Sequence, residues 1–410
     1  MIEVESGPEK VLLVGVQTED YSDDKFQILM TELISLTQTA GGQVQASLTQ
    51  KLSRLDAKSA IGSGKLLELE ALVNRYDADL IIFLNKLSPS VNRYLETSTK
   101  VRVIDRVQLI LDIFALRAKS HEGKLQVELA QYEYLLPRIH GQGKSLSRLG
   151  AGIGTRGPGE TKLESDRRHI RHIMSTIKHE LKELADHRER TRVRRQSGKE
   201  FNVGLVGYTN AGKSTLLTKL TLSDTYVKDQ LFATLDPLTR QMTIDGHQAF
   251  TVTDTVGFIE DLPTELIHAF RSTLEEMRYV DLILHVVDAS ASARLMYEQT
   301  VIQLISELKL DHLPVLTVYN KVDQVEGSFE PTLFPNIVIS AYQAEDIERL
   351  KAKIWATIID QLEAFSLEIP AHEANQIAVY RNQTLVESLT YDEEKQVYRL
   401  AGYRRKNLDE

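Results

Sequence analysis

GYTNAGKS, at residues 207–214, directly follows the apolar run FNVGLVG at 201–207 and opens a helical pattern that starts near Lys213. The octapeptide matches G-x-x-x-x-G-K-[ST], and strand, loop and helix is the context in which that motif binds phosphate. Taken alone, the same letters also suit an ordinary glycine turn. In this context we predict a phosphate-binding loop inside a doubly wound α/β domain.

The predicted loop offers a nucleotide three kinds of contact. Its backbone N–H groups, at the start of a helix, favour the α- and β-phosphates. The Lys213 ammonium can reach the β- and γ-phosphates as a catalytic group, and the Ser214 hydroxyl can ligate Mg²⁺. The residues assigned to the nucleotide here are Gly207, Tyr208, Thr209, Asn210, Ala211, Gly212, Lys213, Ser214 and Thr215.

A second motif, DTVG at 254–257, follows another apolar strand. Asp254 stands where a carboxylate holds Mg²⁺, and the Gly257 N–H stands where it senses the γ-phosphate, which is a catalytic position. Phe258 comes next, whereas Ras-like enzymes have a glutamine there that orients the attacking water. A phenyl ring makes no such hydrogen bond, and so we expect slow hydrolysis that needs a partner.

Two later motifs, NKVD at 320–323 and SA at 340–341, each come after an apolar strand. The carboxylate of the first can accept hydrogen bonds from guanine N1–H and the 2-amino group. Adenine offers neither donor, and so a site built on this pair discriminates strongly between the two bases. The residues assigned to guanine are Asn320 for the O6 and N7 edge, Lys321 as a cover, Asp323 as the acceptor, and Ser340 and Ala341 as N–H donors. In this order the motifs predict a GTPase.

Two assignments within the predicted site stay open. Thr234, in LFATLDPLTR, is the catalytic and Mg²⁺-binding threonine expected in the first switch region, with Thr225 and Thr239 as alternatives. In several GTPases, an asparagine at the position of Asn210 helps to bind K⁺ beside the phosphates, where it offsets negative charge in the transition state. A hydrogen bond that stabilises the loop is the alternative role for Asn210.

Apolar strands alternate with helical patterns on both sides of the phosphate-binding loop. This alternation predicts parallel or mixed sheets covered by helices. We expect an N-terminal α/β domain at 1–118 and, at 119–200, an antiparallel helical hairpin whose basic, glycine-rich loop is 139–160. A P-loop GTPase domain at 201–365 and a small α+β domain at 366–410 complete the predicted chain.

The charge of the chain is unevenly distributed. Its 49 Lys+Arg and 58 Asp+Glu give a net charge of -9, which argues against a uniformly basic nucleic-acid binder. Residues 138–200, however, hold 16 basic and 8 acidic residues, whereas the remaining 347 residues hold 33 and 50. The predicted hairpin loop also contains 7 of the chain's 22 glycines. A flexible cationic loop suits folded RNA, where phosphate and shape dominate recognition.

The absence of cysteine excludes disulfides, thiolate metal sites and cysteine nucleophiles. The first ten residues, MIEVESGPEK, are acidic where a signal peptide is basic, and no apolar run is long enough to cross a bilayer. We therefore expect a cytoplasmic, monomeric protein with no membrane partner.

Several stretches, from about residue 10 to about residue 365, resemble the HflX family of ribosome-associated GTPases. They are IGSGK (61–65), LSPSVNRYLE (87–96), VIDRVQLILDIFALRAKSHEGKLQVELAQYEYLLPR (103–138), GAGIGTRGPGETKLESDRR (150–168), GYTNAGKST (207–215), LFATLDP (231–237), DTVGF (254–258) and NKVD (320–323). The resemblance implies binding to the large ribosomal subunit, GTP hydrolysis stimulated by the ribosome, and the splitting or rescue of stalled or idle ribosomes under stress. It also favours Thr234 as the switch threonine and makes phenylalanine the expected residue at 258.

Basic residues on the glycine-rich loop and on the helix after it are the candidate rRNA contacts. They are Lys144, Arg148, Arg156, Arg167, Arg168 and Arg171. For the last three, a solvated charged helix face is the alternative. Two other functions stay open from the sequence: a GTPase that assembles the large subunit, and a GTP-dependent protein-interaction switch that does not act on RNA. The basic loop argues against the second.

Overall fold

A computed structural model of the chain describes residues 8–138, 158–196, 201–221, 232, 238–244, 247–255, 257–259 and 276–406. Of these, residues 158–163, 188–196, 247–249 and 276 are described as backbone alone. The chain forms two compact units, the first containing residues up to Lys182 together with Phe232, and the second containing the other described residues. Among the described helices, none is long and apolar enough to cross a membrane.

A four-stranded parallel sheet in the order β2-β1-β3-β4 forms the centre of the first unit. Its strands are β1 (Lys10–Gln17), β2 (Gln43–Lys51), β3 (Leu80–Phe83) and β4 (Arg102–Asp105). Its helices are α1 (Asp23–Thr39), α2 (Ser63–Tyr76), α3 (Pro89–Thr99) and α4 (Arg106–Arg117). β1 and β3 are buried nearly throughout, because helices cover both faces of the sheet. The predicted N-terminal α/β fold is confirmed.

Polar caps place the starts of these helices at the carboxyl ends of the strands. Ser22, Ser88 and Asp105 each accept a hydrogen bond from the backbone N–H three residues further on. Such an N-cap stabilises a helix by about 1 kcal/mol, because it satisfies a donor that the helix leaves free. The positive ends of these helix dipoles therefore gather at one edge of the sheet.

Two helices follow α4: α5 (His121–Leu135) and the 39-residue α6 (Pro158–Gln196), of which the residues up to Lys182 belong to the first unit. Lys178 lies 2.9 Å from Glu133, and the His121 imidazole lies 2.7 Å from Glu180, so ion pairs and hydrogen bonds join the two. Ile177 on α6 is buried. α6 begins at Pro158, two residues before the expected end of the glycine-rich loop, since proline suits the first turn of a helix.

Asp105 fixes the end of α5, immediately before residues 139–157. Its buried carboxylate accepts hydrogen bonds from the Tyr134 hydroxyl at 2.7 Å and from Arg138 Nη2 at 3.1 Å. The guanidinium also lies 3.4 Å from the centroid of the Tyr134 ring. Burial and the neighbouring carboxylate hold the pKa of Tyr134 well above its ordinary value, so the hydroxyl stays a donor. The last turn before the glycine-rich segment is therefore rigidly attached to β4.

A six-stranded sheet in the order β10-β9-β8-β5-β7-β6 forms the centre of the second unit. Its strands are β5 (Phe201–Gly207), β6 (Leu238–Ile244), β7 (His247–Asp254), β8 (Leu282–Asp288), β9 (Val315–Asn320) and β10 (Asn336–Val338). Its helices are α7 (Lys213–Thr221), α8 (Arg294–Glu307) and α9 (Ala344–Ile359). All neighbouring strands are parallel except β6 and β7. This is the predicted doubly wound arrangement.

A smaller antiparallel sheet, in the order β11-β13-β12, continues the second unit. Its elements are β11 (Leu362–Pro370), α10 (Asn375–Gln383), β12 (Leu385–Asp392) and β13 (Val397–Arg405), which matches the predicted α+β content. β11 runs across the boundary expected at 365/366, because Leu362 and Leu385 pack into the core of the larger sheet. Arg405 also pairs with Asp281 at 2.6 Å. Asp281 precedes β8, so this appendix lies at the amino ends of the parallel strands.

Candidate nucleotide-binding site

The phosphate-binding loop connects buried β5 to α7, as the sequence predicts. Gly212 has a left-handed backbone with φ of 96°, and a Cβ there would collide with the Asn320 side chain. A Cβ at Gly207 would collide with the Val286 carbonyl on β8. Both glycines are therefore required by close approach of neighbouring groups, and the ordinary-turn interpretation does not explain them.

The Lys213 ammonium lies folded under this loop. It donates hydrogen bonds to the Gly207 carbonyl at 3.0 Å and the Tyr208 carbonyl at 2.7 Å. Burial lowers the pKa of Lys213 to about 8, and the nearby Asp254 carboxylate opposes that shift. The ammonium is thus held in a weakly solvated position, where a phosphate group interacts with it strongly.

The two described candidates for Mg²⁺ lie side by side. The Ser214 hydroxyl donates a hydrogen bond of 2.7 Å to Asp254 Oδ2. Asp254 is completely buried at the end of β7, opposite Leu205 of β5 in the sheet register. Parallel pairing of the two strands therefore brings a hydroxyl and a carboxylate, 40 residues apart in sequence, to one point.

The DTVGF segment contacts the phosphate-binding loop through its backbone. The Phe258 N–H donates to the Gly207 carbonyl at 3.1 Å, and its carbonyl accepts from the Thr209 N–H at 2.8 Å. Gly257 packs so closely that an added Cβ would lie 2.9 Å from Thr209 Cγ2 and 3.1 Å from Lys213 Nζ. The Phe258 ring itself is buried. It takes no polar role, as its chemistry predicts, but no sequence pattern indicates the backbone pairing.

Asn320 joins three of the predicted motifs. Its Nδ2 donates to the Ala211 carbonyl at 3.0 Å, and its Oδ1 accepts from the Ala341 N–H at 3.0 Å. The Ser340 N–H donates to Asp346 Oδ2 at 2.8 Å. Both N–H groups predicted for guanine O6 are thus hydrogen bonded within the protein. The side chain that recognises the base in the sequence prediction also fixes the geometry of the loops around it.

The Lys321 side chain, next to Asn320, is held in one direction. Its residue adopts a left-handed backbone with φ of 63°, and its ammonium pairs with Asp288 Oδ2 at 2.8 Å. The alkyl stem is thereby held between its two ends, as a cover for a base requires. Asp323 follows in a 3₁₀ turn and is exposed to solvent. Sequence reasoning missed Asp288, although its place at the end of an apolar strand was a usable signal.

Sequence reasoning also missed two side chains near the phosphate-binding loop, Tyr297 and His285. The Tyr208 ring stacks on Tyr297 of α8, with centroids 3.8 Å apart and planes at 18°. His285 of β8 is 1% exposed, and burial, together with the positive charge of Lys213, lowers its pKa to about 4. A neutral histidine therefore lies within the electrostatic reach of the lysine. No motif spacing marks either contact, because each depends on the sheet order.

Of the remaining predicted residues, some lie within the part of the chain that the structure describes and the others lie outside it. Asn210 is exposed, with φ of 62°, at the tip of the phosphate-binding loop. Thr239, an alternative switch threonine, lies in β6 with its hydroxyl 2.9 Å from that of Thr253. Arg168 and Arg171 are exposed on α6, whereas Arg167 is half-buried. Outside the described residues lie Thr225, Thr234, Lys144, Arg148 and Arg156.

Three family models match successive parts of the chain. Residues 27–115 match one described as GTP-binding GTPase N-terminal, and residues 117–195 match GTP-binding GTPase Middle Region. Residues 202–321 match the family described as 50S ribosome-binding GTPase. These matches follow the same order as the α/β sheet, the long helices and the phosphate-binding domain of the structure.

Proteins that are similar to this chain over most of their length are described as GTPase HflX. A GTPase HflX from Alkalihalophilus pseudofirmus is 48% identical over 400 residues, which cover 97% of this chain and 94% of the relative. The GTPase HflX of Escherichia coli is 39% identical, covering 89% and 86%. A crystal structure of SsGBP in complex with GDP aligns with a TM-score of 0.49 at 24% identity, covering 85% of this chain and 98% of that one.

Proposed function

The chain belongs to the HflX family of GTPases and hydrolyses GTP to GDP and phosphate, and we propose that it does so on the large ribosomal subunit. There it splits or rescues stalled or idle ribosomes under stress, as a monomer in the cytoplasm. The observation that carries the proposal is the match of residues 202–321 to a family described as 50S ribosome-binding. Exposed Arg168 and Arg171 on α6 support an additional RNA contact by the first unit.

In the proposed site each motif contacts a different part of the nucleotide. Lys213 and the loop N–H groups bind the phosphates, and the Gly257 N–H faces the γ-phosphate. The packing of Gly257 against Thr209 and the lysine ammonium supports that position. Asn320 and Asp323 bind the guanine edges, beneath the stem of Lys321. The bond from Asn320 to the Ala211 carbonyl couples base recognition to the phosphate loop.

Mg²⁺ is proposed between Ser214 and Asp254, with Thr234 joining them in the triphosphate state. The residues present suit the ion, since a hydroxyl and a carboxylate are the hard oxygen donors that it prefers, and they already lie 2.7 Å apart. When bound, the ion neutralises charge on the β- and γ-phosphate oxygens. The complete burial of Asp254 keeps that carboxylate fixed for the ion.

K⁺ is proposed as a further cation beside the phosphates, bound with the help of Asn210. Its left-handed backbone and exposed position put the side chain at the open tip of the loop. GTP turnover measured in K⁺ and in Na⁺ tests this step. We expect faster turnover in K⁺ for the wild type and no difference for Asn210→Ala. Equal wild-type rates in both salts remove K⁺ from the mechanism.

The ribosome is proposed to complete the catalytic site. Burial of the Phe258 ring leaves its position without a polar side chain to orient water. A group supplied on ribosome binding then activates hydrolysis, in the way that partner residues stimulate other GTPases. GTP orders Thr234 and the segment after Phe258 in the ribosome-bound shape, and hydrolysis releases it.

Sedimentation with purified ribosomes and subunits tests the proposed function. We expect the chain to bind large subunits with a non-hydrolysable GTP analogue and to shift full ribosomes toward free subunits. Failure to bind in every nucleotide state contradicts the RNA-binding proposal and leaves a protein-interaction switch. Binding without a change in the ratio of ribosomes to subunits contradicts splitting and favours an assembly role.

A further inference from the structure

The first turn of α8 contacts the phosphate-binding loop through two tyrosine rings. Tyr208, the second residue of the loop, is 6% exposed, and its ring lies against that of Tyr297 with centroids 3.8 Å apart and planes at 18°. Such a contact between ring faces adds to what burial alone contributes. The stack therefore ties the Tyr208 side chain to a helix that supplies none of the predicted nucleotide contacts.

The carbonyl of Tyr208 is one of two acceptors for the Lys213 ammonium. Lys213 Nζ donates to the Tyr208 carbonyl at 2.7 Å and to the Gly207 carbonyl at 3.0 Å. An ammonium has three N–H donors. Because these two carbonyls accept two of them, they also set the direction of the third N–H. A rotation of the Tyr208 backbone would turn that third donor away from the proposed phosphates.

The backbone on either side of Tyr208 bonds to a segment that is proposed to respond to the γ-phosphate. The Phe258 N–H donates to the Gly207 carbonyl at 3.1 Å, and the Phe258 carbonyl accepts from the Thr209 N–H at 2.8 Å. Phe258 follows Gly257, whose N–H is proposed to face that phosphate. We therefore expect these two bonds to change with the nucleotide state.

Contacts elsewhere in the second unit hold α8 in place. Glu298, which is 3% exposed, accepts a hydrogen bond from the Thr332 hydroxyl at 2.5 Å, and Arg294 donates to the Glu330 carbonyl at 3.1 Å. Tyr297 lies between Arg294 and Glu298 in the same turn of the helix. Its ring is therefore fixed independently of the segment that follows β7.

We propose that Tyr297 is a positioning residue for GTP hydrolysis, since its ring holds Tyr208 in the orientation that directs the Lys213 ammonium toward the phosphates. This inference rests on the role proposed above for Lys213. The loop N–H groups bind phosphate in the ground state as well, whereas the lysine charge matters most where negative charge develops in the transition state. Loss of the stack should therefore lower the rate of hydrolysis more than the affinity for GTP.

Single-turnover hydrolysis of trace GTP by excess full chain, with Mg²⁺ and without ribosomes, tests the inference. Tyr297→Ala should lower the maximal rate by about 3- to 10-fold, the factor that an aromatic pair contributes beyond its buried area. The protein concentration that gives half of this rate should stay within about twofold of the wild-type value. Tyr297→Phe keeps the ring face and should keep the maximal rate within about twofold of wild type. Circular dichroism checks that each variant is folded.

Tyr391→Ala is the matched control. Tyr391 also packs against a tyrosine, Tyr398, with centroids 4.7 Å apart, but it lies in the small antiparallel sheet. Its removal should change neither the maximal rate nor the half-saturating concentration. An unchanged maximal rate in Tyr297→Ala overturns the inference, and so does an equal loss in Tyr391→Ala or in Tyr297→Phe.

A double-mutant cycle separates this inference from the role of the lysine. Because Tyr297 acts through the ammonium, adding Tyr297→Ala to Lys213→Ala should change the maximal rate by less than about twofold. A further loss of about 3- to 10-fold in the double variant contradicts action through the lysine and overturns the inference. A wild-type rate and GTP affinity in Lys213→Ala alone overturn the proposed role of Lys213 instead.

Discussion

The four-stranded sheet of the first unit and the six-stranded sheet of the second differ in what lies at the same topological position. In each, the chain reverses its direction across the sheet beside a central strand, between β1 and β3 in the first unit and between β5 and β8 in the second. Such a reversal opens a crevice at the carboxyl ends of the strands, where ligands bind in open α/β folds. In the second unit, β5 continues there into the phosphate-binding loop.

An asparagine occupies the corresponding position in the first unit. Asn85, just after β3, accepts a hydrogen bond from the Val16 N–H at 2.8 Å and donates to the Val16 carbonyl at 2.9 Å. Its buried side chain thus fills the space between the two strand ends. Asn320 in the second unit instead bridges two loops, from the Ala211 carbonyl to the Ala341 N–H. The first unit is therefore expected to act through its helices rather than through its sheet.

Removing Lys213, beside the crevice of the second unit, should have the largest effect on nucleotide affinity. Lys213→Ala deletes a buried charge that is proposed to contact two phosphates, and we expect GDP and GTP affinities to fall by at least about 100-fold, since hydrogen bonds to charged groups contribute roughly 1.5–3 kcal/mol each. Equilibrium binding measures the loss. Lys65→Ala, on α2 of the first unit, is the control and should leave both affinities unchanged. Near-normal GTP binding by Lys213→Ala would falsify the assignment of the nucleotide site to the second unit.

Acid should destabilise the second unit more than the first, because His285 lies buried behind the open crevice. Its folded pKa of about 4 lies below the ordinary 6.5, so the unfolded chain binds the extra proton between these values. The contribution of His285 to the free energy of unfolding is therefore fully present above pH 6.5. It is lost as the pH falls toward 4, which lowers the free energy of unfolding by about 3 kcal/mol. Denaturant titrations at several pH values test this. His285→Gln should flatten the decline, and an unchanged pH slope in that variant contradicts it.

Much of the open crevice could be predicted from the sequence, because its chemistry is local. The octapeptide at 207–214 specifies a strand, a tight turn and a helix start within a few residues, and the structure has all three. Asp254 could also be placed, since a carboxylate after an apolar strand reaches the carboxyl edge of a parallel sheet. The limits of the strand before the loop agree as well, since the apolar run at 201–207 is found as β5 (Phe201–Gly207).

The way in which Asn85 fills the crevice of the first unit could not be predicted, because it depends on which strands become neighbours. Asn85 and Val16 are 69 residues apart, and nothing in either segment indicates that β1 pairs with β3. The pairing of Phe258 with the phosphate-binding loop and the stack of Tyr208 on Tyr297 depend on sheet order in the same way. β11 crosses the boundary expected at 365/366 for a related reason, since only the folded core shows that half-buried Leu362 packs against it.

Truncating the two asparagines should separate stability from ligand binding. Asn85→Ala leaves the buried N–H and carbonyl of Val16 without partners, which costs about 2 kcal/mol of unfolding free energy and leaves GDP affinity unchanged. Asn320→Ala should lower GDP affinity by about tenfold or more, because it removes both the proposed base contact and the link to Ala211. Denaturant unfolding and calorimetry measure the two quantities. A loss of GDP affinity in Asn85→Ala would show that the first crevice takes part in nucleotide binding.

The smallest expected effect tests whether the first unit acts through its long helix. Replacing Arg168 and Arg171 with alanine should weaken large-subunit binding only modestly, because each exposed arginine is one of several groups that bind phosphate. The slope of log affinity against log salt should fall by about one for each arginine that pairs with a phosphate. Arg75→Ala, on α2, controls for loss of a positive charge elsewhere in the unit. GDP affinity should stay constant throughout. If the salt slope is the same in both variants and the wild type, the helix is a solvated charged surface and RNA is bound elsewhere.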